Sequence, residues 1–426
     1  MLDVIIVGAG LSGLSAAVEL QSKGYKVAVL EQKDKVGGHV STCYIDGFIL
    51  DKGLHLFQKA FFESKKSFDY KALQLEAIYP GIMVHKNSNF HLISNPFLKV
   101  KDFISVSLSQ FLSFKDKMKM VSLMTYMLSN TEENFKKLKN ISLESFLNTK
   151  GFSKQAVDDF FRPLTRTVFM DNSLDMPAYI FISMLKQLTF QENTLPAYGI
   201  GSVVNQLYQK LKENTVRLLS KVIQIQPDGV QLSNGEFISA RSVLISIPPH
   251  QIQKINPDYK SNISYLDETC MYFATKTAPV TQPVILMNAK ESSIINHLFV
   301  PTTVQASYAP SQTHLVSVTL KNISLTNDED ELIDRVLTEL IDWFGVKVND
   351  WTHLKTYRIG KATPKIPLDH EYVTYREEAG VFYCGDYLLY GSVNNALISG
   401  KSAAQVIDKR LSGKKDKFGI SIQEKV

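Results

Sequence analysis

Glycines at positions 8, 10 and 13 follow directly on the run Leu2-Asp3-Val4-Ile5-Ile6-Val7, and this junction constrains the fold more than any other stretch. The run is apolar apart from Asp3, which suits a buried parallel strand. Gly8 permits a tight turn, Gly10 lets backbone approach a pyrophosphate, and Gly13 lets a helix pack close to the sheet. Leu11 and Ser12 then open a helix whose N-terminus, with its unpaired N–H groups and dipole, favours an anion. The helix runs through Leu14, Ala17 and Val18, with Gln21 continuing the row, on one side and ends near Gly24. Lys26-Val27-Ala28-Val29-Leu30 reads as the second strand, and Glu31 closes it eighteen residues after Gly13. An acid there suits a ribose diol and repels a 2′-phosphate, so the unit predicts a dinucleotide other than NADP.

That fingerprint does not separate FAD from NAD. The following residues do: Gln32, then Gly37-Gly38-His39, then Asp51-Lys52-Gly53-Leu54-His55. Here the chain resembles the flavoprotein superfamily of monoamine oxidases, protoporphyrinogen oxidases and phytoene desaturases. In that superfamily a Gly-Gly doublet follows the ribose acid and lies along the cofactor, and an Asp-x-Gly-x-His element comes after it. The resemblance implies non-covalent FAD, bound by Gly8, Gly10, Leu11, Ser12, Gly13, Glu31, Gln32, Gly37, Gly38, His39, Gly53 and His55.

At 426 residues and 48.0 kDa the chain can fill two cored domains, and 44% hydrophobic with 21% charged residues is ordinary globular composition. A net charge of +5 without a dense Lys/Arg block argues against nucleic acid and only permits an anionic ligand or membrane surface. Cys43, Cys270 and Cys384 stand too far apart for a CxxC pair, so neither zinc nor a disulfide framework is expected. No secretory leader and no span of ~20 apolar residues is visible, which predicts a cytoplasmic protein, with peripheral contact at the inner membrane face left open.

Residues 82–85 and 90–93 read as two strands around the turn 86–89, opening a substrate-domain sheet in which His85 and His91 are packing or surface residues. Residues 96–195 read as mainly helical. Phe103 to Phe114 and the methionines Met118, Met120, Met124 and Met127 give three alternatives: a subdomain packed on itself, a membrane-surface segment, or a greasy channel. Pro196-Ala197-Tyr198-Gly199-Ile200-Gly201 resembles the Pro-x-x-Gly-x-Gly element that returns the chain to the flavin domain in the phytoene-desaturase-like branch. Residues 216–223 read as one strand, with 243–247 a buried strand ended by Pro248-Pro249. By the resemblance, the backbone of Val222 faces the adenine. Residues 271–274, 284–287 and 315–320 are strand candidates, and 331–344 an amphipathic helix.

The second strong motif is Val381-Phe382-Tyr383-Cys384-Gly385-Asp386, followed by a small-residue helix after Gly391. In related flavoproteins this aspartate binds the pyrophosphate-ribityl region, and the helix N-terminus points at the flavin's pyrimidine end, favouring electron uptake. This adds Gly385, Asp386, Ser392 and Val393 to the implied cofactor residues. Ser392 also departs from amine oxidases, which carry an aromatic cage residue there, and the nearest candidate for their active-site lysine is Lys276.

The expected fold is α/β: a GR2-type, Rossmann-like FAD-binding domain from 1–60, 196–260 and 350–413, an α+β substrate-domain sheet from 61–95 and 261–349, a helical subdomain from 96–195, and a flexible tail from 414–426. The expected function is FAD-dependent dehydrogenation of a largely apolar small molecule by hydride transfer, with O2 or a quinone as electron acceptor. A flavin amine oxidase and a non-catalytic flavin-binding partner remain as alternatives. The sequence names no catalytic residue, because the flavin supplies the redox chemistry and the protein supplies orientation and electrostatics.

Overall fold

The computed structural model describes residues 1–54, 56–59, 62–94, 111–321 and 328–413. They form two compact units. One comprises Met1–Gly38, Val204–Ser261 and the chain from Glu371, and the other His39–Val203 and Asn262–His370.

The first unit is built on an eight-stranded sheet with a parallel centre. Leu2–Val7 lies between Val27–Leu30 and Phe237–Ile245, and Val381–Tyr383 continues the parallel order beyond it. Register sets the carboxyl ends level: Val7 pairs with Leu30 and Ile245, and Ile245 with Tyr383. The residues that follow, Gly8, Glu31, Ser246 and Gly385-Asp386, therefore leave the sheet along one edge, where open α/β sheets bind ligands. Helix Leu11–Ser22 is buried around most of its circumference, from Leu11 to Ala17 and at Leu20, and Val18 is only partly covered. A single apolar side was expected. The helix is instead packed between the sheet and the last helix, Val393–Ser412.

The stretch 216–223 is not one strand. Leu219 takes φ +53°, so Val216–Arg217 pairs parallel to Val27–Leu30, and Val222–Gln226 starts an antiparallel hairpin with Gly229–Leu232. The turn is held by backbone hydrogen bonds from Leu219 N to the Lys33 carbonyl and from Ser220 N to the Glu31 carbonyl, at 3.0 and 2.8 Å.

The second unit carries a seven-stranded sheet in the order Thr352–Lys365, Ser264–Thr275, His314–Leu320, Ile295–Phe299, Ile285–Asn288, Gly81–Lys86 and Asn89–Ser94. All neighbours are antiparallel except Ile285–Asn288 with Gly81–Lys86. Helix Glu329–Phe344 seals one face with Leu332, Val336, Leu340 and Trp343 against Met271, Phe273, Val316 and Val318. Thr352–Lys365 lies within the stretch expected in the FAD domain. Ten register pairs with Ser264–Thr275 put it in the second unit, which moves the last return from near 350 to 371. The first crossing likewise falls after Gly38 rather than near 60. The hairpin Thr42–Ile45 and Phe48–Asp51 packs with Tyr272, Phe299 and Tyr308 of the second unit.

Residues 114–190 are mainly helical, from Phe114–Ser129 to Ala178–Phe190, and share the second unit with the sheet. The apolar residues Phe103 to Leu108 and the tail 414–426 lie outside the described residues. His85 is a packing residue, its ring 4.2 Å from that of Trp343. Among the described residues no helix is long and apolar enough to cross a membrane, and no group of His, Cys, Asp and Glu could hold a metal. The three cysteines are free thiols, with Cys270 and Cys384 buried.

Candidate functional site

In the first unit the glycines are forced by contact. A Cβ on Gly13 would lie 2.1 Å from the Gly8 carbonyl oxygen, and one on Gly400 would lie 2.1 Å from that of Ser12. Both approaches are backbone against backbone, which nothing larger than glycine permits. Gly8, at φ +103°, would set a Cβ 2.7 Å from Ile247. The Ser246 hydroxyl sits 2.8 and 2.9 Å from the carbonyls of Val7 and Gly8 and pins the turn with a shared proton.

Gly10 is different. An added Cβ would meet nothing within 4 Å, and no side chain caps the helix that it precedes. Its backbone therefore borders open space in front of the N–H groups of Leu11, Ser12 and Gly13. The doublet walls that space: Gly37 N donates to the Ala9 carbonyl at 2.9 Å, and a Cβ on Gly38 would come to 3.4 Å from the Gly10 Cα. A narrow, backbone-lined gap at an uncapped helix start suits a pyrophosphate.

Glu31 is buried, with one carboxylate oxygen accepting from Ala9 N and the other from Lys33 N, both at 2.9 Å. Each oxygen keeps a lone pair for a ribose hydroxyl. Gln32 is exposed, and Val222 is buried at the start of its strand. At the far end of the chain, Gly385 N donates to Ser399 Oγ at 2.8 Å, and that hydroxyl donates to the Thr374 carbonyl at 2.7 Å. Asp386 retains some exposure as a residue, but protein surrounds its carboxyl, and burial raises it to about 6 against backbone N–H bonds that lower it. Ser392 caps the last helix, its Oγ accepting from Asn395 N at 3.1 Å, with Val393 the first helical residue. The two chain ends meet through Ser15 Oγ, which donates to the Leu397 carbonyl at 3.2 Å, and Tyr25, whose hydroxyl reaches Asp408 at 2.8 Å.

Gly8 to Gly13, Glu31, Gln32, Gly37, Gly38, Val222, Gly385, Asp386, Ser392 and Val393 thus belong to the first unit. His39, exposed, and Gly53 belong to the second, and His55 lies outside the described residues. Sequence reading missed Ser246 and Ser399, whose only signal is a small hydroxyl at a strand exit and within a small-residue helix.

The second unit has its own polar node, at Asp51. Its Oδ1 accepts from Thr42 Oγ1 at 2.5 Å and Ile200 N at 2.9 Å, and its Oδ2 accepts from Tyr308 at 2.9 Å. The Asp51 carbonyl accepts from Tyr272 at 2.6 Å, and Gly201 N donates to Thr42 Oγ1 at 2.8 Å. The Asp-x-Gly and Pro-x-x-Gly-x-Gly elements are therefore bonded to each other. Two residues further on, Gly53 (φ +87°) would set a Cβ 3.0 Å from the Glu268 carboxylate. Glu268 accepts from Leu54 N, and burial raises its carboxyl to about 7. It escaped sequence reading because a single acid in a strand carries no spacing signal. Lys276 is exposed just beyond Ser264–Thr275.

A parallel sheet with glycine turns and a buried acid at its carboxyl edge is the arrangement of a dinucleotide-binding fold, and the family match assigns the class. The sequence pattern of the family described as flavin containing amine oxidoreductase matches residues 11–408, and the chain belongs to that family. It is an FAD-dependent oxidoreductase, and the residues of the first unit fit that cofactor. The 15-cis-phytoene desaturase of Glycine max is 22% identical over 95% of this chain and 79% of its own length. Cyclohexylamine oxidase from Brevibacterium oxydans IH-35A shares the fold with TM-score 0.74 at 15% identity, covering 96% of this chain and 99% of that one. Wild-type putrescine oxidase bound to putrescine does so with TM-score 0.72 at 16% identity, covering 96% and 99%.

Proposed function

We propose that this enzyme dehydrogenates a largely apolar, unsaturated small molecule. The observation that carries the reading is the sequence alignment with a phytoene desaturase along 95% of the chain. One feature agrees with it: by the family resemblance, amine oxidases carry a cage tyrosine at the place of Ser392, although Tyr387 or Tyr390 could take its place.

Bound non-covalently, FAD supplies a two-electron hydride acceptor. Forming a carbon–carbon double bond also releases a proton from the neighbouring carbon. Reoxidation falls to O2 or a quinone.

The test is anaerobic bleaching of the yellow flavin absorbance by liposome-dispersed phytoene, compared with a panel of primary and secondary amines. Bleaching by the polyene alone is expected. Bleaching by an amine and not by the polyene would replace this reading with an amine oxidase.

A further inference from the structure

Helix Phe114–Ser129 has two apolar faces where a helix packed on a core needs one. The inward face carries Leu123 and Met127, both buried, and Asp116. Along the opposite face, at spacings of four and three residues, run Phe114, Met118, Val121, Thr125 and Leu128, and Phe114 is 77% exposed, Met118 53%, Leu128 52% and Val121 40%. Large apolar side chains scattered singly over a surface need no account, but a stripe in helical register does.

The charges of this helix are sorted by the same division. Its one acid, Asp116, is turned inward, where it accepts from Ser153 N at 2.9 Å and from Ser153 Oγ at 2.7 Å. Lys115 and Lys117 project on either side of the apolar stripe, as helical geometry of about 100° per residue requires. Among the helix's own residues, the outward face therefore presents apolar side chains flanked by lysines and no acid, which is the pattern of a helix lying in the plane of an anionic lipid interface.

We propose that this helix docks the enzyme on an anionic membrane surface, with Phe114, Met118, Val121 and Leu128 entering the acyl boundary and the lysines meeting the headgroups. The docking does not depend on the identity of the substrate.

The experiment is flotation of the full-length, FAD-loaded protein with vesicles of phosphatidylcholine alone or of phosphatidylcholine with phosphatidylglycerol, beside the variant Phe114→Ser/Met118→Ser/Leu128→Ser. Because all three residues are exposed, the variant should keep its flavin spectrum and melting temperature. The expected result is binding to the anionic vesicles that is lost at least tenfold in the variant and weakened by high salt. Equal binding by wild type and variant, or no binding by the wild type, would overturn the proposal. So would a wild-type dimer that the triple variant converts to monomer without any vesicle binding, since the face would then join two copies of the chain.

Discussion

Gly13 and Asp51 are tightly packed points of the two units, and they are tight for opposite reasons. Around Gly13, two backbones touch because no side chain intervenes, and the residue it meets, Gly8, lies five positions away. Around Asp51, a carboxylate gathers donors from Thr42, Ile200 and Tyr308, while Tyr272 bonds its carbonyl. A requirement for the absence of a side chain can be local, met by spacing along one strand–turn–helix, as at Gly8 and Gly13, or distant, as where Gly400 meets Ser12. A requirement for several partners to converge, as at Asp51, depends on the tertiary structure as a whole.

The strongest way to break that contrast is Asp51→Ala. Removing the carboxylate strands the Ile200 N–H and the Tyr308 hydroxyl without their acceptor, and each unsatisfied buried donor costs about 1–3 kcal/mol. A loss of roughly 3–5 kcal/mol in urea denaturation is expected. A loss below ~1 kcal/mol would show that the node is decoration.

Next in size is a pair of glycine substitutions that separates folding from cofactor binding. Gly13→Ala drives a Cβ into the Gly8 carbonyl, for an expected cost of roughly 3 kcal/mol with or without FAD. Gly10→Ala meets no protein atom within 4 Å, so the apoprotein should keep its stability within ~0.5 kcal/mol. Its FAD affinity should fall at least tenfold, because the methyl group would occupy the space facing the helix N-terminus. Equilibrium dialysis with FAD beside thermal melts of the apoprotein reads both, and undiminished FAD binding by Gly10→Ala would remove the pyrophosphate from this gap.

How much could be read in advance follows the same line. The turn at Gly8, the acid Glu31, the Gly37-Gly38 doublet and the exit at Gly385-Asp386 are short motifs on strands whose period is plain, and they come together at one sheet edge. The break at Leu219 was not legible, because a leucine at φ +53° obeys a demand made by Glu31 and Lys33 on another segment. Nor was the course of Thr352–Lys365, since its mixed polar sequence becomes a strand only beside Ser264–Thr275. Glu268 belongs with these: nothing adjacent in sequence announces that Gly53 and Leu54 will enclose it.

Glu268→Gln sharpens the contrast through pH. Burial raises the folded-state carboxyl from 4.5 to about 7, so the protonated form is the one the fold prefers. Its contribution to stability is complete below the unfolded value and is lost as pH climbs through about 7. Glutamine mimics the protonated acid and should make the protein more stable than wild type at pH 8, by on the order of 2 kcal/mol, with little difference at pH 4. A stability profile unchanged by the substitution would mean that the carboxyl ionises freely in the fold.

The smallest expected effect tests whether Ser392 is a local structural device of the first unit. Its hydroxyl accepts from Asn395 N and caps the twenty-residue helix Val393–Ser412. Ser392→Ala should cost roughly 1 kcal/mol, the usual loss of an N-cap, and Ser392→Asp should recover it, because a carboxylate caps as well and suits the positive end of the dipole. The two substitutions part company once flavin is bound. A negative charge at a helix start that favours the reduced, anionic flavin should lower the reduction potential of the Asp variant below that of the Ala variant. Equal potentials in the two variants would place this helix start away from the redox ring, and leave Ser392 as a cap alone.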